Sequence, residues 1–145
     1  MAHISAVTIA VELGKITSRF ENARKLMGYC GAIPSEDSSG KRKRKGSLTK
    51  AGNAHLRRIV IESAWSYRHR PSIGAGLRKR QEGVPVEIKE IAWKAQNRLH
   101  KRYVKMVMAG KEQRKIITAI GRELLGFIWA IGIKTEAACT QQLAA

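Results

Sequence analysis

The chain is 145 residues long, single-domain size, with room for one modest hydrophobic core. Its 28 Lys and Arg against 11 Asp and Glu leave a formal charge of +17, a field that makes nucleic acid the expected partner ahead of an anionic membrane. Cys30 and Cys139 stand alone, which excludes a disulfide framework or a CxxC metal site and points to a reducing, cytoplasmic compartment.

Ile4, Val7, Val11 and Leu13 predict a first amphipathic helix closing near Gly14, with no positive charge before its apolar stretch, unlike a secretory signal. Phe20, Ala23, Leu26 and Met27 predict a second, ending before Gly31. Residues 34–46 then hold no apolar side chain and read as an exposed loop. Asn53 can cap a third helix, whose apolar face is Leu56, Ile59, Val60, Ser63, Ala64 and Tyr67. Residues 71–83, with three glycines and Arg78-Lys79-Arg80, read as a second basic linker.

Pro85 can open a fourth helix with the stripe Ile88, Ile91, Ala92, Ala95, Leu99, Tyr103 and Met106, opposed by Lys94, Arg98, Lys101, Arg102 and Lys105; Gly110 ends it. Ile116, Ile117, Ile120, Leu124, Phe127, Ile128 and Ile131 form the apolar side of a last helix, and residues 134–145 are expected to fray. The longest apolar run, 124–133, is about half a membrane span, so no membrane partner is expected. The predicted fold is mainly α: a small domain of about five helices with two long basic loops.

Positions 41–80 carry 13 basic residues and one acid, Glu62. The densest part, Lys41, Arg42, Lys43, Arg44 and Lys45, leads into Thr49-Lys50-Ala51-Gly52-Asn53 at a helix start, where free N–H groups and the macrodipole favour an anion. A backbone phosphate there would be held also by Lys50, Arg57 and Arg58, with Gly52 allowing close approach. Ser38 and Ser39 precede Gly40 and read either as loop filler or as a nucleophile, which would need a base and nearby cations. Cations abound, but nothing in the sequence fixes the geometry of Glu36 and Asp37, so the residues alone support phosphate binding and leave catalysis open. His3, His55, His69 and His100 lack metal-ligand spacing and are read as surface or capping residues, and no metal ligand set is proposed. Trp65, Trp93 and Trp129 read as core or partner contacts rather than base-stacking platforms.

The ordered series Phe20, Ala23-Arg24, Leu26, Gly31, Pro34, Ser39-Gly40, Thr49-Lys50-Ala51-Gly52 and Leu56-Arg57-Arg58 resembles the C-terminal transposase domain of bacterial insertion-sequence serine transposases, the IS110 type. Residues 110–131 resemble that family's closing helix; the likeness covers about 4–133 and is weakest over 71–105. The resemblance implies a domain over 1–133 followed by a disordered tail, 134–145. It implies that Ser39, rather than Ser38, attacks a DNA phosphodiester and holds the strand end as phosphoserine, with Lys50, Arg57 and Arg58 on the backbone or the reacting phosphate. It also implies a RuvC-like domain outside this chain, supplied in cis or in trans, whose four carboxylates hold Mg2+, together with a structured guide RNA and a homo-oligomer. Two departures stand out: Met1-Ala2-His3 replaces the usual glycine-rich turn, and Asp37, the one aspartate, leaves no DEDD set here. Alone, the chain is expected to bind DNA or RNA better than it cuts either; the alternative is a non-catalytic basic nucleic-acid-binding protein or an inactive transposase remnant.

Overall fold

The computed structural model describes residues 3–39 and 42–143. In chain order it runs α1 (His3–Leu13), α2 (Ile16–Arg19), α3 (Ala23–Tyr29), β1 (Pro34–Ser39), β2 (Arg42–Leu48), α4 (Ala54–Ala64), a 3-10 turn (Trp65–Arg68), α5 (Ala75–Arg80), α6 (Val86–Met108) and α7 (Gln113–Leu143). The domain is mainly α, as its periodicities predict, with seven α-helices among the described residues instead of about five.

The spine is α7, against which α2, α3, α4 and α6 pack. Its Ile116, Ile117, Ile120, Leu124 and Leu125 meet Leu26 of α3, Leu56, Val60 and Ala64 of α4, and Ala95 and Leu99 of α6 in one buried cluster. By length and composition α7 could cross a membrane; here its apolar residues build the core instead. The C-terminal part of the α6 stripe lies as its spacing predicts, with Ala95 and Leu99 buried and Tyr103 and Met106 packed on the cluster; Ile88, Ile91 and Ala92 are half-buried and outside that cluster. Its last turn closes at Gly110, whose φ of +64° is the left-handed conformation that ends a helix cheaply only at glycine.

Five expectations give way to tertiary contacts. The described part of the predicted 34–46 loop is strand: 34–39 and 42–46 belong to β1 and β2, an antiparallel ribbon whose backbone pairing needs no apolar alternation. The 71–83 linker contains the short helix α5. The second predicted helix is α3, which ends before Gly31 as expected but starts only at Ala23, capped by Asn22 through Lys25 N; buried Phe20 lies outside it, at the C-cap of the unpredicted α2.

In α1 the buried residues are Ile9 and Leu13, whereas Ile4, Val7 and Val11 face outward at 81, 59 and 76% exposure. The helix is apolar on more than one side, so periodicity could not choose the inner face. The segment after 133 does not fray but continues as helix to Leu143. Glu136 holds it in place, accepting from the backbone N–H of Ile16 and Thr17 and from the Thr17 hydroxyl at the start of α2. Burial raises the Glu136 pKa, but those hydrogen bonds outweigh it and the carboxyl ends below its ordinary value.

Candidate nucleic-acid interface

The ribbon rises from a socket made by two turns, 29–31 at the end of α3 and 49–53 ahead of α4. The socket is built from backbone contacts too close for side chains. A Cβ on Gly52 would lie 2.2 Å from the Tyr29 carbonyl oxygen, and one on Gly31 would lie 2.4 Å from that of Ala51. Both glycines have positive φ, +126° and +61°, so the sequence places the residue without a Cβ where conformation and space both demand it. Lys50 adopts the same left-handed region at φ +55°, unusual for a residue with a side chain.

Hydrogen bonds close the socket. Thr49 N donates to Ile33 O (3.0 Å), Lys50 N to Gly31 O (3.3 Å) and Asn53 N to Tyr29 O (2.8 Å). Arg57, from the first turn of α4, donates through Nη1 to Cys30 O (2.9 Å) and Lys50 O (3.1 Å), tying the two turns together. The Asn53 side chain caps α4 as predicted, accepting from Leu56 N at 2.9 Å. Its Nδ2 donates to Glu12 Oε2 (2.7 Å), and Glu12 Oε1 meets His55 Nδ1 (3.0 Å). The hydrogen bonds from His55 and then Asn53 hold the Glu12 carboxyl below its ordinary pKa. Arg19 donates to the Tyr29 hydroxyl at 2.8 Å and stacks over that ring 4.5 Å from its centroid.

The start of α4 therefore has its own cap and a carboxylate beside it. Arg57, expected to face a phosphate, turns inward to two carbonyls. Lys50, Gly52, Asn53 and Arg57 do come together, but as a clamp. Arg58 lies outside it, 77% exposed and paired with Glu62 one turn on, 2.8 Å away. Cys30 lies fully buried beneath, and burial pushes its thiol up to about 12, so it serves packing rather than chemistry.

Ser39 is elsewhere. It ends β1 at the far end of the ribbon, directly across from Arg42, with Ser38 across from Lys43, Asp37 from Arg44 and Glu36 from Lys45. By the two-residue period of a strand, positions 37, 39, 42 and 44 share one face and 36, 38, 43 and 45 the other. Gly40 and Lys41, the second a predicted phosphate contact, lie outside the described residues. Five residue steps of extended chain carry Ser39 away from Pro34 at the ribbon's base, roughly 16 Å at the usual strand rise. The structure thus divides the predicted site into a serine opposite a basic strand and a clamp that carries the arm.

Two features escaped the sequence reading. A cleft of about 760 Å³ beside the ribbon's base is lined by Arg24, Ser35, Thr49 and Arg122. Arg24 and Arg122 come from separate helices, and nothing in the sequence joins them. The other is the basic face of α6, visible in the sequence as a helical repeat but assigned no role there. Among the described residues, no three His, Cys, Asp or Glu side chains gather as a metal site would require.

The family model for the "Transposase IS116/IS110/IS902 family" matches residues 1–76. Over 128 residues the chain is 47% identical to "Putative transposase y4qE" of Sinorhizobium fredii, an overlap that covers 88% of this chain and 33% of that protein. It is 33% identical over 69 residues to "Putative transposase y4rJ" of the same organism, covering 47% of this chain and 17% of that protein. The chain thus spans no more than about a third of the length of either relative. No solved structure matches.

Proposed function

The chain belongs to the transposase IS116/IS110/IS902 family, and from that premise we propose that it is the DNA-binding and strand-transfer part of a serine transposase, with Ser39 as nucleophile. The observation that carries the reading is the register of the ribbon: Ser39 stands at its outer end with Arg42 opposite and Lys43, Arg44 and Lys45 following on the same strand. A serine hydroxyl becomes an effective nucleophile when a base takes its proton and cations stabilise the charge developing on the attacked group. A two-stranded arm with a basic second strand would bring serine and cations together at a phosphodiester.

In the proposed step Ser39 Oγ forms a bond to phosphorus as one phosphate ester bond breaks. The hydroxyl proton passes to a base, the departing strand oxygen takes up a proton, and the strand end remains as phosphoserine. Lys50 and the outward-facing Arg58 contact the DNA backbone, while Arg57 positions the arm through the clamp. Magnesium is expected with a RuvC-like part outside this chain. The described residues do not fit that metal, so no step is routed through it. A guide RNA and a homo-oligomer joining two DNA partners in the cytoplasm complete the proposal.

The test is Ser39→Ala, assayed with DNA and the RuvC-like part present. Protein–DNA adducts that survive denaturing electrophoresis are expected to vanish, while salt-sensitive binding stays nearly unchanged because the hydroxyl neutralises no phosphate. Persistence of the adduct, or loss of binding in step with it, overturns the assignment. Ser38→Ala, on the other face of the ribbon, is expected to keep the adduct.

A further inference from the structure

The outer face of α6 and the neighbouring part of α7 enclose a groove of about 890 Å³ lined by Lys94, Arg98, Lys101, Arg102, Lys105 and Lys111. Glu123 of α7 is the single acid in it. From this groove we infer a second nucleic-acid site, one that grips the sugar–phosphate backbone of a duplex separately from the ribbon. It lies outside residues 1–76, which carry the match to the family model.

Charge balance comes first. Six cations face one carboxylate, and among the described residues the four lysines have no ion pair, so the groove keeps a strong positive field. A solvated basic face would also be positive, but its arginines would not be tethered. Glu123, only 14% exposed, accepts from Arg98 Nε and from Arg102 Nη1, the latter at 2.6 Å. That one part-buried carboxylate fixes two guanidiniums side by side while leaving them 64 and 46% exposed. Arg98 is engaged through Nε alone and Arg102 through Nη1 alone, so each keeps N–H groups for phosphate oxygens. Holding the forks in advance reduces the side-chain entropy lost on binding.

Shape then selects the ligand. On α6 the cations run from 94 to 105, roughly 16 Å along the axis at the α-helical rise. A small anion would need them to converge, and here they form a row. A duplex strand carries a phosphate about every 3.4 Å of axis, so a row this long can meet more than one phosphate. Met106 and Ala109 provide an apolar lining that makes no base-specific demand, which fits backbone contact rather than sequence reading.

The experiment is Lys101→Glu combined with Lys105→Glu, two exposed residues outside the core, titrated against a short DNA duplex and an RNA duplex of the same sequence. The control is Lys15→Glu with Lys25→Glu, which lowers the net charge equally but lies off the groove. We expect roughly tenfold weaker binding for the groove variant and a salt slope smaller by about 2, the loss of two phosphate contacts. The duplex that shows the loss identifies the polymer, and a loss with both identifies a site that reads backbone alone. Equal losses in groove and control variants, or no loss with either duplex, overturn the proposal. Lys101→Gln with Lys105→Gln supplies the same comparison should the reversed charges disturb folding. Because binding is read without covalent attachment, the groove stands or falls independently of Ser39.

Discussion

The ribbon and its socket lie next to each other in the chain but are held by different physics. Of residues 33–35 and 46–55 none belongs to the buried core, and the ribbon's pairing is carried by backbone hydrogen bonds between its two strands. The socket is the opposite case: two glycines in left-handed conformations, a lysine in the same region, and an arginine bridging carbonyls from separate turns. In the proposed function this arm carries Ser39 to DNA, and its direction is set at its root.

That contrast breaks most sharply at Gly52. Gly52→Ala places a Cβ against the Tyr29 carbonyl oxygen at a φ that L-residues avoid, and neither backbone can move without opening the socket. Thermal denaturation is expected to show a loss of about 3 kcal/mol, or roughly 10 °C in melting temperature. Arg57→Ala comes next: two charge-assisted hydrogen bonds disappear and the Cys30 and Lys50 carbonyls lose their donor. A loss of about 2 kcal/mol is expected in urea denaturation, with Arg57→Lys restoring only part because an ammonium lacks the planar fork.

The third effect is pH-dependent. Hydrogen bonds from His55 and Asn53 lower the Glu12 pKa in the folded protein, so Glu12 stabilises the fold fully above its unfolded value near 4.5. That contribution is lost as pH falls through the folded value. Urea midpoints measured across the acid range should therefore fall less steeply for Glu12→Gln than for the parent chain. The smallest effect belongs to the arm. Ser39→Ala, which is expected to abolish the covalent adduct, should change stability by no more than about 0.5 kcal/mol, and a larger loss would mean that the ribbon tip contributes to the fold.

Part of the site was legible from the sequence. Asn53 was recognisable as a helix cap from its place ahead of an apolar face; Gly52 was read as a place where a phosphate could approach, whereas here it is the Tyr29 backbone that comes close. The division of labour was not. Arg57 and Arg58 are neighbours of one residue type, and no local rule says that one turns in to two carbonyls while the other faces solvent. That choice depends on the turn at 29–31, which lies more than twenty residues away in the chain. Glu12 was invisible for the same reason, since its partners come from another helix.

By itself the sequence determined the mainly helical class, the α6 stripe, the start of α4 at Asn53, the stop at Gly110 and the kinship with transposases, because each rests on short-range periodicity, capping chemistry or an ordered motif. Only the tertiary structure decided which side of α1 is buried, that a run without apolar residues pairs into a ribbon, that Glu136 extends α7 to Leu143, and that Glu123 sets Arg98 and Arg102 along a groove. Each of those outcomes depends on a partner distant in sequence: a face is inner only once something covers it, and a charge is positioned only once its counter-charge arrives.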